Sequence, residues 1–395
     1  MSRKQLMILF LCFLLPSTVG SAIMSLMSLY ARSLGADASQ TGLWLAIAFT
    51  LLALTTMNSS WLSHRFGKRK LFITLAGAIS APVAFLMGSA QDIVQLGLLT
   101  TILWGLFGIA TTMVTILTGL YADKEHRGRS FGLLGVAVAL GQVIGGLSAG
   151  ALVERWGFTA LFLFAALLYV TLTLVSLALE DNRKNDETQA VQSVVAGRSQ
   201  SVNGALILIL IASVLAFSGT FVTEMIRPLA MDARQFGTTV ITGTVAIAGL
   251  VNIPLPYIMG WLSDRVGRRG ILFACYGLAA TGVMLMIPAS AVWHFWIAQA
   301  LISLVNSGFS IGSALVTDLV EPSALQVSLS RFTSTRWIGA VLSFAGAGMA
   351  VDSLGIGLTL AATGLLVLAA VPFVRAACSP RLGAYAACSS KVVTS

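Results

Sequence analysis

The sequence predicts an all-α membrane protein of twelve transmembrane helices in two pseudo-symmetric six-helix bundles. Three observations predict it: the composition, a succession of helix-length apolar runs, and a motif that recurs 200 residues later.

Of the 395 residues, 57% are apolar and 10% are charged. An ordinary soluble domain carries about 25% charged residues, so too few remain here to cover a water-facing surface of this size. A helix needs roughly 20 apolar residues to cross the hydrocarbon core. Twelve segments meet that length, near 6–31, 41–62, 71–90, 94–121, 130–153, 157–179, 204–229, 238–262, 271–290, 293–319, 327–351 and 354–375. The basic start with an apolar run behind it, MSRKQLMILFLCFLL, reads as the first span and not as a cleaved signal, because the run continues to Tyr30. The longest polar stretch falls between the sixth and seventh segments. The expected organisation is therefore an N-terminal bundle over 1–180, a cytoplasmic linker over 181–203, a C-terminal bundle over 204–377 and a disordered tail over 378–395.

Charge distribution sets the expected orientation. With the amino terminus inside, 19 of the 24 Lys and Arg residues fall on the cytoplasmic side, and Arg32, Arg155, Arg227, Arg234 and Arg336 lie outside or within the membrane. Both termini are then cytoplasmic in a multi-pass cell-membrane protein. The net charge of +9 is scattered in short inter-helix clusters, so it signals topology and contact with membrane lipids, with no nucleic-acid partner. The four cysteines suggest neither a disulfide framework nor a metal site. His64, His126 and His294 are isolated, and no phosphate-binding G-x-x-x-x-G-K-[ST] occurs. Neither an enzyme nor a cofactor nor ATP-driven chemistry is expected.

The repeat is SWLSHRFGKRK at 60–70 and GWLSDRVGRRG at 260–270, each after the second span of its half. Gly67 and Gly267 permit a tight turn, and the basic residues hold the loop at the inner leaflet. Asp264 can face a helix amino terminus of the opposite half, where negative charge is favoured by about 0.3–1 kcal/mol. The first copy has His64 at that position. A gating set follows: His64, Arg65, Gly67, Arg69, Asp123, Asp264, Arg265, Gly267 and Arg269. Asp123 is expected to pair with Arg65 or Arg69, and Asp318 or Glu321 with Arg265 or Arg269.

Gly260 to Arg269 resembles G-x-L-x-D-R-x-G-R-R/K, the signature loop of the major facilitator superfamily. The resemblance covers about residues 6–375 and implies a twelve-helix secondary transporter, drug or sugar exporter-like, working by alternating access. GLLGVAVALGQVIGGLSAG in the fifth segment is similar to the glycine-rich helix of such exporters, with Gln142 where they have proline; Thr101 stands where they have an arginine. The implied activity is efflux of a small organic, drug-like or sugar-like molecule by a monomeric inner-membrane antiporter, with protons as coupling ion. The alternatives are an anionic or lipid-like substrate, or a non-transporting membrane sensor on the same fold.

Ionisable and amide side chains inside spans are costly and mark candidate substrate or coupling residues. Glu224 and Arg227 lie three apart on one face of the seventh segment and can pair. Arg336 lies about nine residues into the eleventh, too deep to reach the headgroups easily, whereas Arg331 can. Gln142, Asn252 and Asn306 are the mid-membrane amides, equally readable as interhelical hydrogen bonds. Trp104 and Trp337 read as packing residues, Trp293 and Trp296 as interfacial anchors. Pro254 and Pro256 should bend the eighth span.

Overall fold

A computed structural model describes residues 3–121, 127–181, 204–320 and 324–379. The described residues are helical, with no strand among them. In chain order the helices are α1 Arg3–Ser33, α2 Ala38–Phe66, α3 Arg69–Met87, α4 Ile93–Tyr121, α5 Arg127–Ser176 and α6 Gly204–Asp232. They continue with α7 Thr238–Asn252, α8 Leu255–Val266, α9 Arg268–Leu285, α10 Val292–Ile302, α11 Leu304–Leu319, α12 Leu325–Leu368 and α13 Ala370–Ala377.

Among the described residues, eight helices are long and apolar enough to cross a membrane, or nine when α7 and α8 count as one span bent by 43°. The bend falls at Pro254, as the missing amide donor requires. Two helices are too long for one crossing. The 50 residues of α5 would extend about 75 Å as one straight rod, against about 30 Å of hydrocarbon. Gly157, with φ 77°, breaks α5, and Gly355, with φ 79°, breaks α12. Only glycine enters that region without a Cβ penalty. Each break falls at a boundary between apolar segments. The count of twelve rests on these breaks and on α9, an 18-residue helix in the place of the ninth segment.

The chain forms two compact units, one of 1–192 with 228–253, the other of 193–227 with 254–395. Residues 228–253, which the sequence groups with the second half, thus pack with the first. In the first unit α1 packs on α5, α2 on α4, α3 on α4 and α5, and α5 on α7. In the second, α9 packs on α10, α11 and α12, and α11 on α8. Most of the linker and nearly all of the tail lie outside the described residues. Cys12 and Cys275 are free and buried. Cys378 is disulfide-bonded, a single bond where the sequence suggested no disulfide framework.

The glycines of α5 serve two separate contacts. A methyl group at Gly145 would lie 2.6 Å from Thr18 O of α1, and one at Gly146 would lie 2.6 Å from Ala246 N of α7. Gly132 faces open space. Overpacking of this kind costs about 1–3 kcal/mol, and a helix-interior Gly→Ala without a clash gains about 0.5–1 kcal/mol. Gly145→Ala is therefore expected to lower the melting temperature of the purified protein, and Gly132→Ala to leave it unchanged or raise it. Equal melting temperatures for the two variants would show that the glycines do not set the approach of α1 to α5.

Candidate functional site

In the second unit, α6 carries Phe217, Phe221, Glu224 and Arg227 at the three- and four-residue spacing that puts them on one helix face. Close approach of α12 gives this face a partner. Gly339 supplies the room, since a Cβ there would already lie 3.1 Å from Phe217 Cβ. Two hydrogen bonds fix the register: Ser213 with Thr335 through their hydroxyls at 2.7 Å, and Ser343 Oγ donating to Ser218 O at 3.0 Å. The contact brings Arg336 of α12 to the α6 face, with its guanidinium 5.4 Å from the ring centroids of both Phe217 and Trp337. Aromatic packing continues through Phe309, 5.3 Å from Phe217, and Phe344, 5.5 Å from Phe221.

Arg227 is 1% exposed and is the largest fully buried side chain. Its Nη1 donates to Gln299 Oε1 of α10. The pairing of Arg227 with Glu224 that the spacing allowed is thus replaced by an amide partner on another helix. Glu224 is half-buried and interacts electrostatically with both Arg227 and Arg336. Neither Glu224 nor Arg336 makes a hydrogen bond to the described residues. Arg227 Nε, Arg336 Nε, Thr220 Oγ1 and Ser307 Oγ are buried without a partner. The cluster therefore holds one negative and two positive side chains, with unused donors in excess of acceptors.

Between α6 and α12 lies a cavity of about 390 Å³. Leu210, Ile211, Val214, Leu215 and Ile338 form its apolar walls, and Arg331, Ser334 and Thr335 its polar part. Arg331, expected to turn to the headgroups, is an exposed residue of this lining.

Trp104 is 8% exposed between Phe49 and Phe107, in keeping with a packing role. Asn252 Nδ2 donates to Gln142 Oε1 at 3.0 Å, so these two candidate amides bond to each other, well apart in sequence from the charged cluster. Asn306 is half-buried on α11, where its carbonyl accepts Ser310 Oγ at 3.3 Å. Trp293 and Trp296 are exposed.

At the repeated loops, Gly67 and Gly267 both have positive φ, 59° and 103°, as the turns require. Arg69 is buried, donates from Nε to Ser63 Oγ at 2.6 Å and lies 3.8 Å from Asp181, which also accepts Lys70 N–H at 3.0 Å. Asp181 is thus anchored at the amino terminus of α3, where the helix dipole favours a carboxylate. Asp123, Glu321 and the side chain of His64 lie outside the described residues. Asp318 pairs at 2.9 Å with Arg268, which corrects the expected pairing with Arg265 or Arg269. Arg265 lies over the Trp261 ring at 3.9 Å and Arg269 over Phe273 at 5.3 Å; an arginine on an aromatic face gains cation–π energy instead. Arg65 and Asp264 are exposed.

Sequence reasoning did not single out Gln299, Asp181 or Glu154. Gln299 is an amide inside an apolar segment and meets the criterion that selected Gln142. Glu154 accepts Thr239 N–H at 3.0 Å and Thr239 Oγ1–H at 2.6 Å, capping α7, whose own N-cap residue Gly237 has no side chain to do so. Nothing local in the sequence marks that contact.

Against known proteins, the model of the Major Facilitator Superfamily matches residues 9–304 and 244–381. The multidrug resistance protein MdtG of Proteus mirabilis (strain HI4320) is 29% identical over 301 residues, 73% of each chain. MdtG of Klebsiella pneumoniae (strain 342) is 27% identical over 304 residues, 73% of this chain and 72% of that one. A bacterial homologue of the human lysosomal transporter Spinster superposes with a TM-score of 0.77 at 15% identity, over 95% of this chain and 97% of that one. The match extends across nearly all the apolar segments, and the chain belongs to the Major Facilitator Superfamily.

Proposed function

We propose that this transporter exports a small organic, drug-like or sugar-like solute by alternating access, with protons as the coupling ion. The observation that carries the coupling role is Glu224, a carboxylate inside an apolar span with no hydrogen bond to the described residues and two cations within electrostatic reach. A group so placed can change protonation state when a ligand alters its surroundings. The relatives named as multidrug resistance proteins support efflux of small molecules. Reconstitution in proteoliposomes tests transport itself. Counterflow of a labelled compound is expected, and binding without exchange would mark a sensor instead. In the cell, we place both termini and the 181–203 linker on the cytoplasmic side; cysteines introduced there should react only after the membrane is permeabilised. Labelling of intact cells would overturn this orientation.

The exposed Asp264 is proposed as the charge of a latch that closes the cytoplasmic side, with His64 in place of a carboxylate in the first copy. One carboxylate at a helix amino terminus contributes about 0.3–1 kcal/mol. Asp264→Asn should shift the population toward cytoplasm-open states by about two- to fivefold, and His64→Asp should shift it the opposite way. Spin-label distances across the cytoplasmic side would register both changes. Unchanged distances in both variants would reduce the loops to topology signals.

A further inference from the structure

We propose that Arg336, with Glu224 beside it, is the recognition point for a singly charged organic anion, a carboxylate or sulfonate on an apolar body. This deepens the transporter reading and rests on it. The first argument is charge. Glu224 offsets only one of the two cations, Arg227 and Arg336, and an uncompensated charge away from water is costly. A monoanion brings the cluster to neutrality, whereas a cation adds to the excess. The second argument is hydrogen bonding. Arg227 already uses Nη1 on Gln299, and its own Nε and that of Arg336 have no acceptor. Arg336 has no hydrogen bond to the described residues at all. Its planar fork matches a carboxylate or sulfonate. The third is the wall. Phe217 and Trp337 each lie 5.4 Å from the guanidinium, and Phe221 lies 6.4 Å from Phe217, so an apolar body can rest on these rings while its charged group faces Arg336.

The same geometry gives a sign to the pH dependence. The charged groups acting on Glu224 are Arg227 on its own helix and Arg336 on α12; Gln299, from α10, is neutral. An ionised Glu224 repels the incoming anion and competes with it for Arg336. Protonation removes both effects, so anion and proton assist each other's binding, and such an anion travels with the proton, in contrast to the exchange expected of an exporter. The anion then binds more tightly as the pH falls. Glu224→Gln fixes the low-pH affinity at every pH.

The experiment uses the full-length purified protein and four aromatic probes of similar size: benzoate, benzenesulfonate, benzyl alcohol and benzyltrimethylammonium. Binding is read by calorimetry and by concentration-dependent thermal stabilisation. The two anions are expected to bind and the neutral and cationic probes to bind at least about tenfold more weakly. Arg336→Gln should lose about tenfold or more in anion affinity, with Arg336→Lys retaining part of it. Glu224→Gln should gain about threefold or more at neutral pH and lose the pH dependence. Equal binding of the neutral or cationic probe, weaker anion binding in Glu224→Gln, unchanged binding in Arg336→Gln, or no binding of either anion would each overturn the proposal. Counterflow of another compound by the same preparation would leave the transporter reading standing in those cases. Size-exclusion profiles and the wild-type-like charge of Arg336→Lys separate lost recognition from lost folding.

Discussion

Glu224→Gln is expected to abolish pH-driven movement of substrate while leaving substrate exchange intact. Exchange requires only that the loaded carrier reorient, with no net proton movement. Concentration against a gradient requires a group that takes a proton on one side and gives it up on the other. Glu224 is the carboxylate placed for this: it lies within the apolar run of α6, and α1 and α4 carry no acidic residue in their spans. Glutamine keeps the shape and removes the titration. The expected effect is a complete loss of pH-driven uptake or efflux in proteoliposomes, with exchange at rates within a few-fold of wild type. A variant that still concentrates substrate under a pH difference would make Glu224 a structural charge and move coupling elsewhere.

Most of the fold was legible because the membrane imposes few rules and imposes them on every residue. Apolar run length gave the spans, whereas the two halves suggested by the 200-residue repeat differ from the two compact units in where 228–253 fall. The turn glycines Gly67 and Gly267 were readable because a short connection demands positive φ, and both have it. The two glycines that break α5 and α12 sat at segment boundaries for the same reason. What the sequence hid is lateral pairing. Spacing along α6 suggested Glu224 with Arg227, since residues three apart are neighbours on one helix. Spacing carries no information about Gln299, which arrives from α10 and takes the Arg227 hydrogen bond. Arg336 was recognisable as a deep cation, yet only the α6–α12 contact, made close by Gly339 and the Ser213–Thr335 hydrogen bond, brings it to Glu224. The Asp318 pairing differed for a related reason. A shared cytoplasmic end offered Asp318 to Arg265 or Arg269, but Asp318 pairs with Arg268, and Arg265 and Arg269 turn onto the aromatic rings of Trp261 and Phe273.

Arg227 allows volume and charge to be separated by two substitutions with opposite expectations. It is the largest fully buried side chain, and its hydrogen bond to Gln299 joins α6 to α10. Arg227→Ala removes both volume and charge, and a large-to-alanine change in a packed interior costs about 2–5 kcal/mol. Arg227→Met keeps an unbranched side chain of similar length and fills most of the same space. It also removes one of the two cations around Glu224, leaving Glu224 with Arg336 as a balanced pair. Removing one partner of a buried ion pair is costly because it strands the other charge, but here Arg336 remains to balance Glu224. Against this stands the loss of a partner for Gln299, worth about 1–3 kcal/mol if the amide stays buried and unsatisfied. The expected order of melting temperature is therefore Arg227→Ala far below Arg227→Met, with Arg227→Met close to wild type. Thermal unfolding of the two purified variants in one detergent gives that order directly. If methionine proves as destabilising as alanine, the hydrogen bond to Gln299 dominates, and the excess positive charge is not what limits the stability of this cluster.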